Sequence, residues 1–204
     1  MTIIEIISIS KDILLGSAAI ITSGAAVMGL KRWKFEIKGR AEFEIARNLI
    51  RTTYKLREDI KNCRSSFTSS YEYPDGYRVP LGKHTAKEEA EAIAYIYKNR
   101  WEPIRLSLQE FDTHSLEAEV LWGKNIRIQT DTLRQCINEL LVSIEDYISI
   151  KASDEHGIKN NDSLVKETYA VIFRGKNNEN EFSKRIFDSI SEIEGTVKPH
   201  LKKS

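Results

Sequence analysis

The residues of this chain whose types and spacing best suit chemistry are Glu110, His114 and Glu117. Separations of four and three residues place the three side chains on one face of a helix. Carboxylate and imidazole groups can bind a metal ion, so these residues are candidate metal ligands. A charged, solvated helix junction explains the same residues more simply. The favoured interpretation is therefore the solvated junction, and we expect no cofactor.

Sequence motifs of the common enzyme classes are absent from the chain. It contains no G-x-S-x-G nucleophile elbow, no phosphate-binding P-loop, no G-x-G-x-x-G and no H-E-x-x-H. The paired Glu-x-x-His motifs of a di-iron bundle are absent too. Catalytic sites can also be assembled from scattered residues. The sequence therefore makes an enzyme the less favoured class and identifies no catalytic or cofactor-binding residue.

Three tyrosines lie in a segment with the composition of a loop. Residues 65–84 read SSFTSSYEYPDGYRVPLGKH, and their Ser/Thr cluster, Pro-Asp-Gly and Pro-Leu-Gly are typical of turns. An irregular segment of this length inside a domain is often functional. Tyr71, Tyr73 and Tyr77 are therefore candidate contacts for a partner protein. The alternative is that these side chains pack down on the helices.

The chain beyond residue 40 has the pattern of long amphipathic helices. Charged residues make up 30% of the sequence, with only ten glycines and four prolines, which favours helices over sheets. Cys63 and Cys136 lie on predicted apolar faces, so we expect both thiols in the core. The predicted fold is all-α, with a bundle of four or five helices in residues 41–204. Apolar residues recur every three or four positions in 43–63, 86–111, 115–151, 164–173 and 181–199.

Local signals predict where several of these helices begin and end. Glu88 follows Thr85 by three residues, which predicts a capping box at the start of the second helix. Pro103 predicts a kink or a division of that helix. Whether Gly123 breaks the pattern of residues 115–151 stays open.

An uncharged run of eighteen residues, Ile13 to Leu30, precedes the predicted bundle. In a helix this run is about 27 Å long, close to the thickness of the bilayer's hydrocarbon core. We predict a transmembrane helix at residues 13–30, following a short extracytoplasmic segment at 1–12. The alternative is a buried helix of a soluble bundle.

Charges on the two sides of this run are distributed unequally. Residues 31–40 carry five cations and one carboxylate, whereas residues 1–12 carry Lys11 against Glu5 and Asp12. The positive-inside rule then places residues 31–204 in the cytoplasm and the N-terminus outside. The same cations attract anionic lipid headgroups, and an interfacial tryptophan accompanies them. The predicted membrane-interface residues are Lys31, Arg32, Trp33, Lys34, Lys38 and Arg40.

Small residues recur at a spacing of four within the uncharged run. Ala19 is followed by Ser23, and Ala25 by Gly29. This spacing lets two membrane helices approach closely, so it predicts helix–helix association through this face. The alternative is a lone anchor, because small residues are so frequent here that such spacings also arise by chance.

A recurring residue pattern extends from the end of the uncharged run into the first predicted cytoplasmic helix. Its members are Trp33, Lys34, Gly39, Glu42, Glu44, Ala46, Arg47, Leu49, Arg51, Tyr54, Lys55, Arg57, Glu58, Asp59 and Ile60. The pattern resembles that of uncharacterised bacterial proteins in which one N-terminal membrane helix continues into a helical cytoplasmic domain. The resemblance implies this architecture and the bacterial inner membrane, and it brings no function or site residue with it. It leaves open whether Gly39 is a hinge.

Three functions are compatible with these patterns. We favour a membrane-tethered helical interaction module, such as a scaffold, sensor or regulatory subunit, that contacts a protein partner or a second copy of itself. The alternative is an oligomerising membrane effector that perturbs the bilayer. A third is a metal- or ligand-binding bundle or an enzyme. The chain's net charge of +1 does not favour nucleic acid as the main ligand.

Overall fold

A computed structural model of the chain describes residues 3–77, 84–153, 162–174 and 180–201. Within these ranges the protein is helical, with five α-helices and no strand, which confirms the predicted all-α class. The predicted loop at 65–84 is described up to Tyr77 and again from His84, and it contains a short 3₁₀ turn. The elements are α1 (Ile3–Cys63), the 3₁₀ turn (Ser70–Glu72), α2 (Ala86–Trp122), α3 (Lys124–Ala152), α4 (Asp162–Ile172) and α5 (Glu181–Leu201).

The chain divides into two units, and the boundary between Glu44 and Ile45 falls inside α1. The described part of the first unit is the N-terminal portion of α1, which is helical through Gly39. The second unit begins at Ile45 and contains the rest of α1 together with the other four helices. Every site between helices described below lies within this second unit.

The second unit is a four-helix bundle of α1, α2, α3 and α5, with antiparallel neighbours. Residues early in one helix pair with residues late in the next, so each neighbouring pair runs in opposite directions. The short helix α4 packs at the end of the bundle where α1 stops. The contacts that show these directions are Lys55–Glu110 and Arg100–Ser65 for α1 and α2, and Arg134–Asp112 and Lys151–Glu89 for α2 and α3. For α3 and α5 they are Arg185–Glu139 and Thr196–Gln129, and Arg64–Ser183 joins the end of α1 to the start of α5.

The core is made largely of the predicted apolar stripes. The stripes of α1, α3 and α5 are confirmed, because their central members are buried. On α2 the predicted Tyr97, Ile104 and Phe111 are buried, but the buried face also includes Ile96, whereas the predicted Ile93 is only partly buried. The same face also buries Ser107 and Ser115, whose hydroxyls donate to the Ile104 and Phe111 carbonyls. A serine whose hydroxyl is hydrogen-bonded in this way can line a core, although a hydrophobic pattern does not count a polar residue as a core position.

The helix ends follow the predicted chemistry with one exception. At the start of α2 the Glu88 amide donates to the Thr85 hydroxyl at 3.2 Å, and the Thr85 amide donates to the Glu88 carboxylate at 2.8 Å. Gly123 ends α2 with φ of 76°, a conformation that L side chains rarely adopt, and α3 begins at the next residue. The exception concerns Pro103, for which a kink or a division was predicted: the division does not occur, because α2 continues through this residue. Burial of Ile104 immediately after it keeps the helix packed against the bundle.

Cys63 and Cys136 are both buried free thiols, as predicted. Burial raises the pKa of Cys63 to about 12. The unfolded chain therefore releases this proton at lower pH than the folded chain does. The stability linked to Cys63 is present below pH 9 and is lost as pH rises towards 12.

We expect the wild-type chain to lose roughly 2–3 kcal/mol more of its unfolding free energy between pH 8 and 11 than a Cys63→Ala variant does. The measurement is denaturant unfolding of both full-length chains in steps of pH, followed by circular dichroism. A Cys136→Ala variant is the control for the second thiol. If the unfolding free energies of wild type and Cys63→Ala fall in parallel over this pH range, folding does not raise the pKa of Cys63.

Candidate functional site

The candidate metal ligands Glu110, His114 and Glu117 do not converge on one point. The Glu110 carboxylate pairs with Lys55 of α1 at 3.1 Å, and His114 Nδ1 lies 2.9 Å from Glu117 Oε2. No group of three or more His, Cys, Asp or Glu side chains in the described ranges is placed to hold a metal ion. Glu110 serves an ion pair between helices, and His114 pairs with a carboxylate on its own helix.

The uncharged run lies on α1 with its large apolar side chains exposed. Ile20 and Ile21 are 75% and 72% exposed, and no residue of the apolar window is buried. Among the described residues this is the one helix long and apolar enough to cross a membrane. A signal sequence near an N-terminus has the same length and composition, so this observation alone is weak evidence of a span.

The predicted association and membrane-interface residues are also exposed on α1. Lys38 lies 3.8 Å from Glu42 and Arg40 lies 3.6 Å from Glu36, which are surface ion pairs between successive turns. Trp33 is 60% exposed. The exposed members of the two sets are Ala19, Ser23, Ala25 and Gly29, and Lys31, Arg32, Trp33, Lys34, Lys38 and Arg40.

Arg100 of α2 holds the first part of the 65–84 loop. Its Nε donates to the Glu72 carboxylate at 2.6 Å. Its Nη1 donates to the Ser65 carbonyl at 2.8 Å, and its Nη2 donates to the Phe67 carbonyl at 2.7 Å. The Glu72 carboxylate also accepts from the Ser69 amide at 2.8 Å. The hydrogen bond from Arg100 is the largest cause of a lowered pKa at Glu72.

The three tyrosines of the loop have different environments. Tyr71 is 84% exposed, and Phe67 nearby is 74% exposed. Tyr73 instead stacks on Tyr77 with ring centroids 5.1 Å apart, and Tyr77 stacks on His84 at 4.2 Å. The structure therefore leaves Tyr71 available to a partner, whereas Tyr73 and Tyr77 pack against each other.

An aromatic cavity of about 340 Å³ lies beneath the stacked tyrosines, at the end of the bundle. Tyr97 of α2 and Tyr147 of α3 meet edge to face there, with centroids 6.0 Å apart. Burial raises the pKa of both phenols. The aromatic residues that line the cavity are Tyr73, Tyr77, Tyr97, Tyr147 and Phe173.

A second, larger cavity is a groove of about 550 Å³ between the end of α1 and the start of α5, which we call the basic groove. Sequence reasoning missed this site. Its signal is the spacing of Arg57 and Lys61, which places two cations on one face of α1, with Arg64 following just beyond the end of the helix. The residues that line the basic groove are Arg57, Glu58, Ile60, Lys61, Arg64, Arg174, Ser183, Lys184, Ile186, Phe187 and Ile190.

Arg64 is the buried cation of the basic groove and is only 3% exposed. Its Nε donates to the Val171 carbonyl at 2.6 Å, and its Nη1 donates to the Ser183 hydroxyl at 2.9 Å. Nη2 makes longer bonds that include the Asn180 side-chain oxygen at 3.4 Å. Burial, with a smaller effect from Arg174, lowers the pKa of Arg64 to about 10. In the part of the chain that the structure describes, no carboxylate forms an ion pair with Arg64.

The chain matches none of the protein-family models, curated proteins or solved structures with which it was compared. The chain itself presents three candidate functional surfaces: the exposed uncharged run, the loop held by Arg100, and the basic groove.

Proposed function

We propose that this chain is a membrane-tethered helical interaction module, a scaffold, sensor or regulatory subunit without catalytic activity. The observation that carries the proposal is the uncharged run on α1, whose large apolar side chains are exposed. Contiguous apolar surface of this kind is unfavourable in water and is normally covered by lipid or protein. A helix of this length and composition suits the hydrocarbon core of a bilayer.

The location that we propose is the bacterial inner membrane, with the N-terminus outside and residues 31–204 in the cytoplasm. The five cations of residues 31–40 support this orientation through the positive-inside rule. Exposed cations on α1 can also meet anionic lipid headgroups, and Trp33 suits the interface.

The interaction role is supported by the loop that Arg100 holds. Phe67 and Tyr71 are large and exposed, and they lie on a segment fixed by charge-assisted hydrogen bonds. Aromatic side chains of this kind are enriched among the residues that dominate binding energy at protein interfaces. A tether increases the local concentration of such a surface at the membrane, which strengthens contact with a membrane-bound partner.

Carbonate washing of membranes tests the tether. We expect full-length protein to stay in the pellet and an Ile20→Asp, Ile21→Asp variant to be released, because each aspartate costs about 2.5–3.5 kcal/mol near the bilayer centre. The matched control is Val120→Asp, Val142→Asp, which changes two exposed apolar residues of the bundle. Release of the wild-type chain would show that α1 is covered by protein and would remove the basis of the proposal.

A further inference from the structure

The walls of the basic groove are two antiparallel helix faces. Arg57 and Ile60 lie three residues apart on α1 and Arg64 follows just beyond its end, whereas Ser183, Phe187 and Ile190 are spaced at four and three residues along α5. Each wall is about seven residues long, or roughly 10 Å, which corresponds to two helical turns. Two neighbouring helices leave a shallow groove of the shape into which the ridge of a third helix packs.

The floor of the basic groove is apolar and includes a side chain that the core does not use. Ile60, Ile186 and Ile190 form its base and are largely buried, whereas Phe187 is 67% exposed. An aromatic ring left exposed beside buried isoleucines can be covered by apolar residues of a docked helix. Covering it would contribute about 25 cal/mol for each Å² of apolar surface removed from water.

The charge of the basic groove is strongly one-sided. Among the described residues that line it, Glu58 is the one carboxylate, and it pairs with Arg57 at 3.2 Å and with Lys61 at 3.0 Å. Five cations among the described lining residues thus stand against this one carboxylate. The cations are Arg57, Lys61, Arg64, Arg174 and Lys184.

We propose that the basic groove binds an acidic amphipathic helix of a partner protein. The apolar stripe of that helix would cover Phe187 and the isoleucine floor, and its carboxylates would face the cations at the rim. This inference rests on the proposed function, because it names the partner chemistry of the interaction module. The recognition mode is a helix in a groove, with charge complementarity fixing which helices are accepted.

Arg64 fixes one positive charge beneath the rim of the groove. Its hydrogen bonds in the described ranges go to carbonyl, hydroxyl and amide oxygens, so no carboxylate of those ranges neutralises it. Its positive field attracts carboxylates placed at the rim, where the exposed cations lie. The mixed character of the groove does not favour nucleic acid, which needs a continuous basic face along its phosphates.

The test uses the full-length chain in a non-ionic detergent and two fluorescent helical peptides of eighteen residues. Both carry leucines along one face, flanked by glutamates in the acidic peptide and by lysines at the same positions in the basic one. Fluorescence anisotropy measures their binding. We expect the acidic peptide to bind and the basic peptide to bind at least tenfold more weakly.

Two pairs of variants locate the binding site. Lys61→Glu with Lys184→Glu should weaken the acidic peptide at least tenfold, whereas Lys87→Glu with Lys124→Glu, exposed outside the groove, should leave it unchanged. Phe187→Ala should also weaken binding, and Val120→Ala should not. Circular dichroism of each variant confirms that it is folded.

Three results would overturn the proposal. They are equal binding of the two peptides, acidic-peptide binding that the Lys61 and Lys184 changes leave intact, and binding of short-chain phosphatidylglycerol but not of the acidic peptide. The last result would assign the groove to a lipid. Detergent keeps the chain in solution whether or not it inserts in a bilayer. Failure of peptide binding is therefore distinguishable from failure of the tether.

Discussion

Replacing Arg64 with alanine is expected to lower the free energy of unfolding by about 2–4 kcal/mol, because its bonding partners are left without a donor in a buried site. Arg64 lies just beyond the end of α1, and its Nε donates to the Val171 carbonyl in the last turn of α4. Carbonyls at a helix C-terminus have no partner within the helix, and a cation there also interacts favourably with the helix dipole. One side chain thus joins α1, α4 and α5.

Denaturant unfolding of the full-length chain, followed by circular dichroism, measures this effect. Arg51→Ala is the matched control, since Arg51 is an exposed arginine of α1 and its loss should cost less than about 0.5 kcal/mol. Arg64→Lys should fall between alanine and wild type, because an ammonium keeps the charge but not the planar fork of donors. A stability of Arg64→Ala equal to that of Arg51→Ala would contradict the structural role.

The role of Arg64 also shows what a sequence pattern can and cannot predict. The stripe that ends at Cys63 predicted α1 correctly because burial there follows the period of the helix. The partners of Arg64 lie more than one hundred residues away, at Val171 and Ser183, and no local spacing connects them. The basic groove depends on the same long-range packing of α1 against α5. In the sequence alone, each of its cations is therefore interpreted as an ordinary surface charge.

The face of α2 was predictable only in part, for a different physical reason. Its predicted stripe includes Tyr97, Ile104 and Phe111, and all three are buried. Ser107 and Ser115 are buried as well, because each hydroxyl donates to a carbonyl of its own helix. A hydrophobic pattern assigns such positions to the surface, although small residues let neighbouring helices approach closely. Capping at Thr85 was predictable because its partner, Glu88, is only three residues away.

Replacing Arg100 with alanine is expected to free the loop at 65–77 and to lower the unfolding free energy by about 2–3 kcal/mol. Its guanidinium donates to Glu72 and to two loop carbonyls, so a single substitution removes the bonds that fix the segment. Hydrogen exchange with mass spectrometry should show faster exchange in peptides covering residues 65–77 while the rest of α2 stays protected. Arg105→Ala is the matched control, because Arg105 pairs with Glu102 on the exposed side of the same helix.

The dependence on pH gives this prediction a second readout. Arg100 lowers the pKa of Glu72, so the stability from this pair is present above pH 4.5 and is lost as pH falls through the folded pKa. Wild type should therefore lose more stability on acidification than Arg100→Ala does. Unchanged loop exchange in Arg100→Ala would show that the loop is ordered by other contacts. If exchange increases as expected, Arg100 fixes the segment that exposes Tyr71, and its removal should weaken partner binding although no contact residue has changed.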